Sequence, residues 1–443
     1  MKKVSTLLLL TLLGVASVSC KDDDNNTVTP IEKPTTVVEL SGNITADMTL
    51  KADKKYLLKG FVYVQAPAKL TIEPGTIIKG DKATKGSLIV ERGAQIIARG
   101  TADKPIVFTS NEAKGSRKAG DWGGLILLGN APVNLGNSAT IEGGVARMYG
   151  GDNVADNSGV LKYVRVEFAG IAYQPDNEIN GITFGGVGSG TEVDFVQVSF
   201  CGDDAFEWFG GTVNARHLIA YKTVDDMFDS DNGYSGTVQF AVGISDPKVA
   251  DVSKSNGFES DNNKAGDEAT PNTKARFSNV SLFGPLATAS TTADPNYGSG
   301  IHFKKNTKIS VYNSVIAGWP TGIYLDGSGV EGSATSNVIS FKNNYVVAAT
   351  TPLKVASGST FNIQNWFDTN NNKLAAANTD LKIEGSFKQA GAPTFLPGSG
   401  SALLSGASFT GLTGFDQVQF VGAFGATDWT AGWANFDPQH TDY

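Results

Sequence analysis

The sequence is poor in the residues that build many familiar active centres. Its 443 residues include two cysteines, Cys20 and Cys201, and three histidines. No zinc-type spacing of Cys and His occurs, and no P-loop, nucleophile elbow or Rossmann fingerprint is present. Basic charge is also short, with 36 Lys and Arg against 44 Asp and Glu for a net charge of −8. A nucleic acid or an anionic membrane held by a basic face is thereby disfavoured, and a cationic ligand is favoured. Charged residues make up only 18% of the chain, and helical periodicity is almost absent. What is abundant is glycine, at 52 residues, together with Val, Ile, Thr and Phe. That mixture describes many short strands separated by tight turns.

The first twenty residues, MKKVSTLLLLTLLGVASVSC, carry Lys2 and Lys3, an apolar run from Leu7 to Leu13, and small residues leading to Cys20. This is the pattern of a secretory signal, too short to span a membrane stably. Ser17-Val18-Ser19-Cys20 resembles a bacterial lipobox, which makes Cys20 the lipidated first residue of the mature chain. Lys21-Asp22-Asp23-Asp24 resembles an acidic tag that exports lipoproteins to the outer face of the outer membrane. Residues 20–37 read as a flexible acidic tether, after the signal at 1–19. With Cys20 lipidated, Cys201 has no disulfide partner and is expected to be a buried, inert thiol.

Beyond the tether the chain repeats. Asn180-Gly181-Ile182, Asp204-Ala205-Phe206, Asp226-Met227-Phe228, Asn256-Gly257-Phe258, Ser299-Gly300-Ile301 and Thr321-Gly322-Ile323 follow one another at steps of 24, 22, 30, 43 and 22 residues. A short interval with occasional enlargements is the signature of a solenoid whose corners carry loops. Strand-like VDFVQVSF, ARHLIAYK, ARFSNVSL and ISVYNSVI lie between the triplets. Coils of about 22 residues with several strands each predict an all-β, right-handed parallel β-helix, whereas propeller blades need longer repeats. The solenoid is expected over 38–374. Residues 375–443 lose the register and are expected to cap an open end, or to present Trp429 and Trp433 as a docking surface.

The strings GTIIKGDKATKGSLIVERGAQIIARGTADKPIVFTS, GDWGGLILLGNAPVN, SGVLKYVRVEFAG, GDDAFEWFGGTVNARHLIAYK and DWTAGWANFDP resemble a family of Bacteroidota surface-exposed lipoproteins with a right-handed parallel β-helix fold. The resemblance covers nearly everything after the tether. It implies a fold and an outer-membrane address, with no established activity to carry across.

Stacking turns the intervals into geometry. If the third residue of each triplet faces the core, the next faces out, giving a row Thr183, Glu207, Asp229, Glu259, His302, Tyr324. A second outward row is Gly185, Phe209, Asp231, Asp261, Lys304, Asp326. Glu207, Asp229, Asp231, Glu259 and Asp261 then share one flat patch, with neighbours about 5 Å apart between coils. Such crowding raises carboxyl pKa values unless a cation compensates. Ca2+ fits, since it takes six to eight oxygens at about 2.4 Å. His302 and Lys304 offer positive charge from the protein itself, and the remaining reading is that the acids splay into water and keep the sheet soluble. Asp203 and Asp225 sit at the rim as further ligands, with Tyr324 beyond them. Asp204 and Asp226 read as turn residues that bond neighbouring backbone.

Two rival functions rest on the same residues. GDDAFEW resembles the GDD-bearing coil of polygalacturonase-type glycoside hydrolases, which would make Glu207, Asp229 and Glu259 catalytic. An acid expected in the preceding coil is Asn180, and no Arg-Ile-Lys motif follows. Pectate lyases use calcium and a basic residue, but Lys304 beside carboxylates should have its pKa raised, not depressed. The other rival is an accessory subunit of an outer-membrane transport or secretion complex. The leading expectation is a surface module that binds a glycan or a protein through a calcium-loaded acidic face. Asp152 and Asp156 read as an ordinary turn, not a calcium loop, and His217 as structural.

Overall fold

A computed structural model describes residues 37–136, 139–174 and 177–443. The signal segment, Cys20 and all but the last residue of the tether lie outside them. Twenty-four strands join in one continuous sheet system, paired in parallel from coil to coil. The chain is a right-handed parallel β-helix. Every step seen among the triplets is realised as a strand pairing: Ile182 aligns with Phe206, Phe206 with Phe228, Phe228 with Phe258, Phe258 with Ile301, and Ile301 with Ile323. All six are at most 1% exposed. Phe206 stacks on Phe228 at 5.6 Å, and Phe228 meets Phe258 at 5.2 Å with the rings tilted by 38°, each pair worth about 1 kcal/mol beyond its buried area.

By contrast, the similar segments LTIEPG and LIVERG, 18 residues apart, are not stacked on each other. Leu70 pairs with Ile96, and Leu88 with Val62. Their likeness marks the same turn at different corners, with Gly75 and Gly93 at φ of 84° and 82°.

One face of this sheet system forms the flank, built from Gly159–Glu167, Glu192–Ser199, Asn214–Tyr221, Thr237–Ile244 and Arg276–Phe283. Each of these strands is bent by one residue of left-handed backbone: Tyr163, Phe195, His217, Phe240 and Asn279, with φ from 50° to 60°. That conformation costs about 1–2 kcal/mol for a residue with a side chain. Stacking offsets it, because Tyr163 lies 4.5 Å from Phe195, Phe195 4.2 Å from His217, and His217 5.1 Å from Phe240. The His217 ring also meets Asp194 at 2.7 Å, so its role is structural, as its alternation with apolar neighbours implied.

Residues 375–443 contain no strand, only short 3-10 turns. They lie along the flank instead of over an end. Leu381, Phe395, Leu403, Val421, Phe424 and Trp433 pack on outward-facing Ile219, Val242, Ile244, Phe283 and Val315. Those flank residues form an apolar stripe that water would otherwise meet, which is a stronger demand than protecting one terminal edge. Amide side chains complete the seam: Gln197 exchanges two hydrogen bonds with the Asn435 backbone, and Gln239 two with that of Asp416. Trp433 is 1% exposed and donates to the Trp429 carbonyl, while Trp429 donates to that of Ala423. The tryptophans therefore hold the tail down, which leaves no support for the alternative reading of them as a docking surface. Among the described residues no helix is long and apolar enough to cross a membrane.

Candidate functional site

The inward ladder fixes the outward row. Thr183 aligns with Glu207, Glu207 with Asp229, Asp229 with Glu259, Glu259 with His302, and His302 with Tyr324. Two positions before the inward residues, a second ladder climbs through the turns. Asp204 accepts the Asp226 backbone N–H at 2.8 Å, Asp226 accepts that of Asn256, and Asn256 accepts that of Ser299 at 2.8 Å. Each side chain satisfies one buried donor of the coil above, the role read from the sequence.

The row is not the flat outward patch expected. It floors a cavity of about 240 Å3 whose lining includes nine carboxylates, Ser253, Lys254 and Lys304. The walls come from insertions between coils. Glu142 and Glu178 are carried by two small antiparallel hairpins between Leu128 and Ile182, and Ser253 and Lys254 by the 30-residue step. Repeat reasoning missed Glu142 and Glu178 because insertions have no register. The one available signal was Glu178, two residues before the first triplet. Asp204 and Asp226 also line the cavity, so assigning them to the turns alone was incomplete: an Asp has a second oxygen after one has met the ladder.

Three sets bring one carboxylate oxygen per residue to within 4.8 Å of one another: Asp203, Asp204 and Asp225; Asp204, Glu207 and Asp229; and Asp226, Asp229 and Glu259. Asp229 and Asp204 each belong to two sets. Asp225 and Asp229 each keep one buried oxygen without a hydrogen-bond partner. Asp231 and Asp261, expected in the same cluster, belong to none of these sets. Lys305 holds Asp261 at 2.6 Å, and Asp231 accepts the Asn232 backbone N–H at 2.5 Å. Asp231 and Asp261 thus turn toward a neighbouring loop and lysine, while Lys304 of the same row stays at the cavity.

Burial and mutual repulsion push Asp203, Asp204, Glu207, Asp226 and Asp229 well above the usual carboxylate range. Burial lifts Asp225 to about 7, with Asp251 and Glu259 adding to it against a hydrogen bond from Ser253. Burial also pushes Glu142 up, with the Glu178 carboxylate adding to it against polar contacts to Glu207 and Asn180. Glu259 is the exception. Although burial opposes it, the neighbouring His302 ring and the Lys304 ammonium hold it below its ordinary value. Burial works to lower Lys304, but Glu259 and Asp261 outweigh it and drive the ammonium upward, as the sequence implied. His302 bridges Glu259, 3.6 Å away, to Asp326 at 3.0 Å. Tyr324 stacks on His302 at 4.8 Å and donates to Asp326, outside the cavity.

Two remaining features behave as the sequence indicated. Asp156 accepts from Asn130 and Ser158 within its turn while Asp152 is exposed, and the Cys201 thiol is buried with its pKa raised by burial. A larger cavity of about 710 Å3, between Ala287 and the tail near Phe387, has no comparable convergence of carboxylates.

Comparisons with known proteins bear on the fold. The family pattern described as a pectate-lyase like beta helix domain matches residues 42–434. No curated protein matches. Among solved structures, pectate lyase Pel9A is similar with 11% identity and a TM-score of 0.34, covering 89% of each chain. The Dettilon tailspike protein is similar with 10% identity and a TM-score of 0.26, covering 72% of this chain and 62% of its own.

Proposed function

The chain belongs to the pectate-lyase-like β-helix domain family, and from that premise we propose that it is a polysaccharide-binding module whose acidic cavity works through Ca2+. The observation that carries the reading is the convergence of Asp204, Glu207, Asp226, Asp229 and Glu259 into overlapping sets of oxygens within 4.8 Å. Carboxylates so placed suit a hard cation that wants many oxygens, and a cation removes the repulsion that otherwise keeps them protonated. Ca2+ held there would leave coordination positions for sugar hydroxyl or carboxylate oxygens. Sugar acids, repelled by the bare cavity, would then be attracted to it.

Lys304 favours binding over lyase chemistry, because a proton-abstracting base must be neutral and its carboxylate neighbours hold it charged. One observation supports a second reading, hydrolysis. Glu207 is pushed up and Glu259 held down, and such a split can equip one carboxyl as acid and the other as base. The amino-terminal pattern supports attachment to the outer membrane through lipid on Cys20.

Calorimetric titration of the metal-stripped domain, residues 37–443, with Ca2+ tests the main reading, followed by uronate and neutral oligosaccharides with Ca2+ or chelator. The expected result is saturable Ca2+ binding that Asp229→Asn weakens at least about tenfold, and glycan binding only with Ca2+. Absence of Ca2+ binding at millimolar concentration refutes it. New reducing ends that disappear in Glu207→Gln would establish the hydrolase instead.

A further inference from the structure

On the other side of the turn that carries Asp203 lies a second cavity, of about 440 Å3, with the opposite chemistry. Its size is that of a site for one small molecule. The inner wall is aromatic. Phe168 and Phe200 stack at 5.5 Å with an interplanar angle of 12°, Tyr221 stands edge-on to Phe200 at 5.5 Å, and Phe436 from the tail closes on Tyr221 at 5.2 Å.

The polar part of the lining is mainly cationic. Lys222 is 8% exposed, and its Nζ donates to the Gln389 carbonyl at 2.8 Å while lying 5.2 Å from the centre of the Tyr221 ring. The nearest carboxylate oxygen, on Asp246, is 4.0 Å away, at the limit of an ion pair. An ammonium has three donors, so this one keeps capacity for a further acceptor. Burial pushes its pKa down, the mark of a cation short of compensating charge. Lys118 is exposed at the mouth. Arg117 adds charge but is engaged with the Pro438 and Thr441 carbonyls, and the one lining acid, Asp437, is paired with His440 at 2.7 Å.

We infer that this flank cavity binds a small ring-shaped carboxylate, a sugar acid whose apolar ring face lies on the aromatic wall and whose carboxylate meets Lys222 and Lys118. The half-buried Phe200 and Phe436 supply contact area to one face of the ring, backed by the buried Phe168 and Tyr221, and the Lys222 ammonium selects the acid over its neutral counterpart. The site does not depend on the acidic cavity or on calcium. A free sugar acid and the acidic end of a chain share this chemistry.

The test uses the 37–443 domain in chelator, so that the acidic cavity cannot contribute through metal. Galacturonate, galactose and a galacturonate oligomer are titrated by calorimetry or ligand-observed NMR. Galacturonate is expected to bind at least about tenfold more tightly than galactose, and Lys222→Met and Lys118→Ala are each expected to weaken it by about tenfold. Monomer and oligomer binding alike indicates a terminal residue or free acid, whereas the oligomer failing indicates the free acid alone. Lys118→Ala changes an exposed side chain and keeps the test decisive if Lys222→Met does not fold. Equal binding of galactose and galacturonate, no binding of galacturonate at about 20 mM, or binding unaffected by Lys118→Ala overturns the inference.

Discussion

Removing metal should make this protein less stable as the solution is brought from mildly acidic to mildly basic, the reverse of the usual dependence. Asp225 and Asp231 have folded-state pKa values of about 7 against ordinary values of 3.8, chiefly through burial. A carboxyl raised in the folded state favours folding below its unfolded value and ceases to as pH climbs through the folded one. The interval from 3.8 to about 7 is worth about 4 kcal/mol per group at about 1.4 kcal/mol per pH unit. This is an upper value, since water entering the cavity screens the ionised forms. Unfolding entropy of about 2.1 cal/mol/K per residue over roughly 400 residues makes 4 kcal/mol equivalent to about 5 °C. Glu192, held low by Arg99, acts oppositely and loses its contribution only below its ordinary 4.5. The melting temperature of the metal-stripped domain should therefore peak near pH 5 and fall by up to about 7 °C by pH 8, since the two pH units from 5 to about 7 count about 2.8 kcal/mol for each of Asp225 and Asp231. Asp225→Asn should reduce that fall, and saturating Ca2+ should remove the share that Asp225 contributes. Scanning calorimetry from pH 4 to 8 checks this. A melting temperature that is flat or rising between pH 5 and 8, or a slope unchanged in Asp225→Asn, refutes the reasoning.

Other outcomes follow from single contacts. Asp226→Asn keeps the acceptor for the Asn256 N–H and should fold normally while losing Ca2+ affinity, whereas Asp226→Ala leaves that buried donor unpaired at about 1–3 kcal/mol, read by denaturant titration. Phe228→Ala opens a gap between Phe206 and Phe258 and should cost about 3–5 kcal/mol on the same measurement. Cys20→Ser in the full-length chain should abolish incorporation of labelled fatty acid, and retained label in that variant would remove the proposed anchor.

The fold was legible because a stacked repeat converts sequence spacing directly into contact: the triplets at Ile182, Phe206, Phe228, Phe258, Ile301 and Ile323 needed only their intervals for the pairing to be read. The neighbouring acids followed, because side chains alternate across a strand. Alternation alone thus puts Glu207, Asp229 and Glu259 on one face. Where register ended, so did that inference. Glu142 and Glu178 arrive on hairpins, and their approach depends on how those loops fold over the sheet.

The amino-acid sequence by itself determined the solenoid, the inward aromatic ladder and the order of acids along the outward row, all consequences of a local period. Only the tertiary structure decided that the row floors a cavity, that Lys305 draws Asp261 aside, and that the tail covers the flank. Those outcomes depend on where chain outside the repeat comes to rest. That is set by burial of apolar surface and by satisfaction of charge between residues far apart in sequence, which no interval encodes.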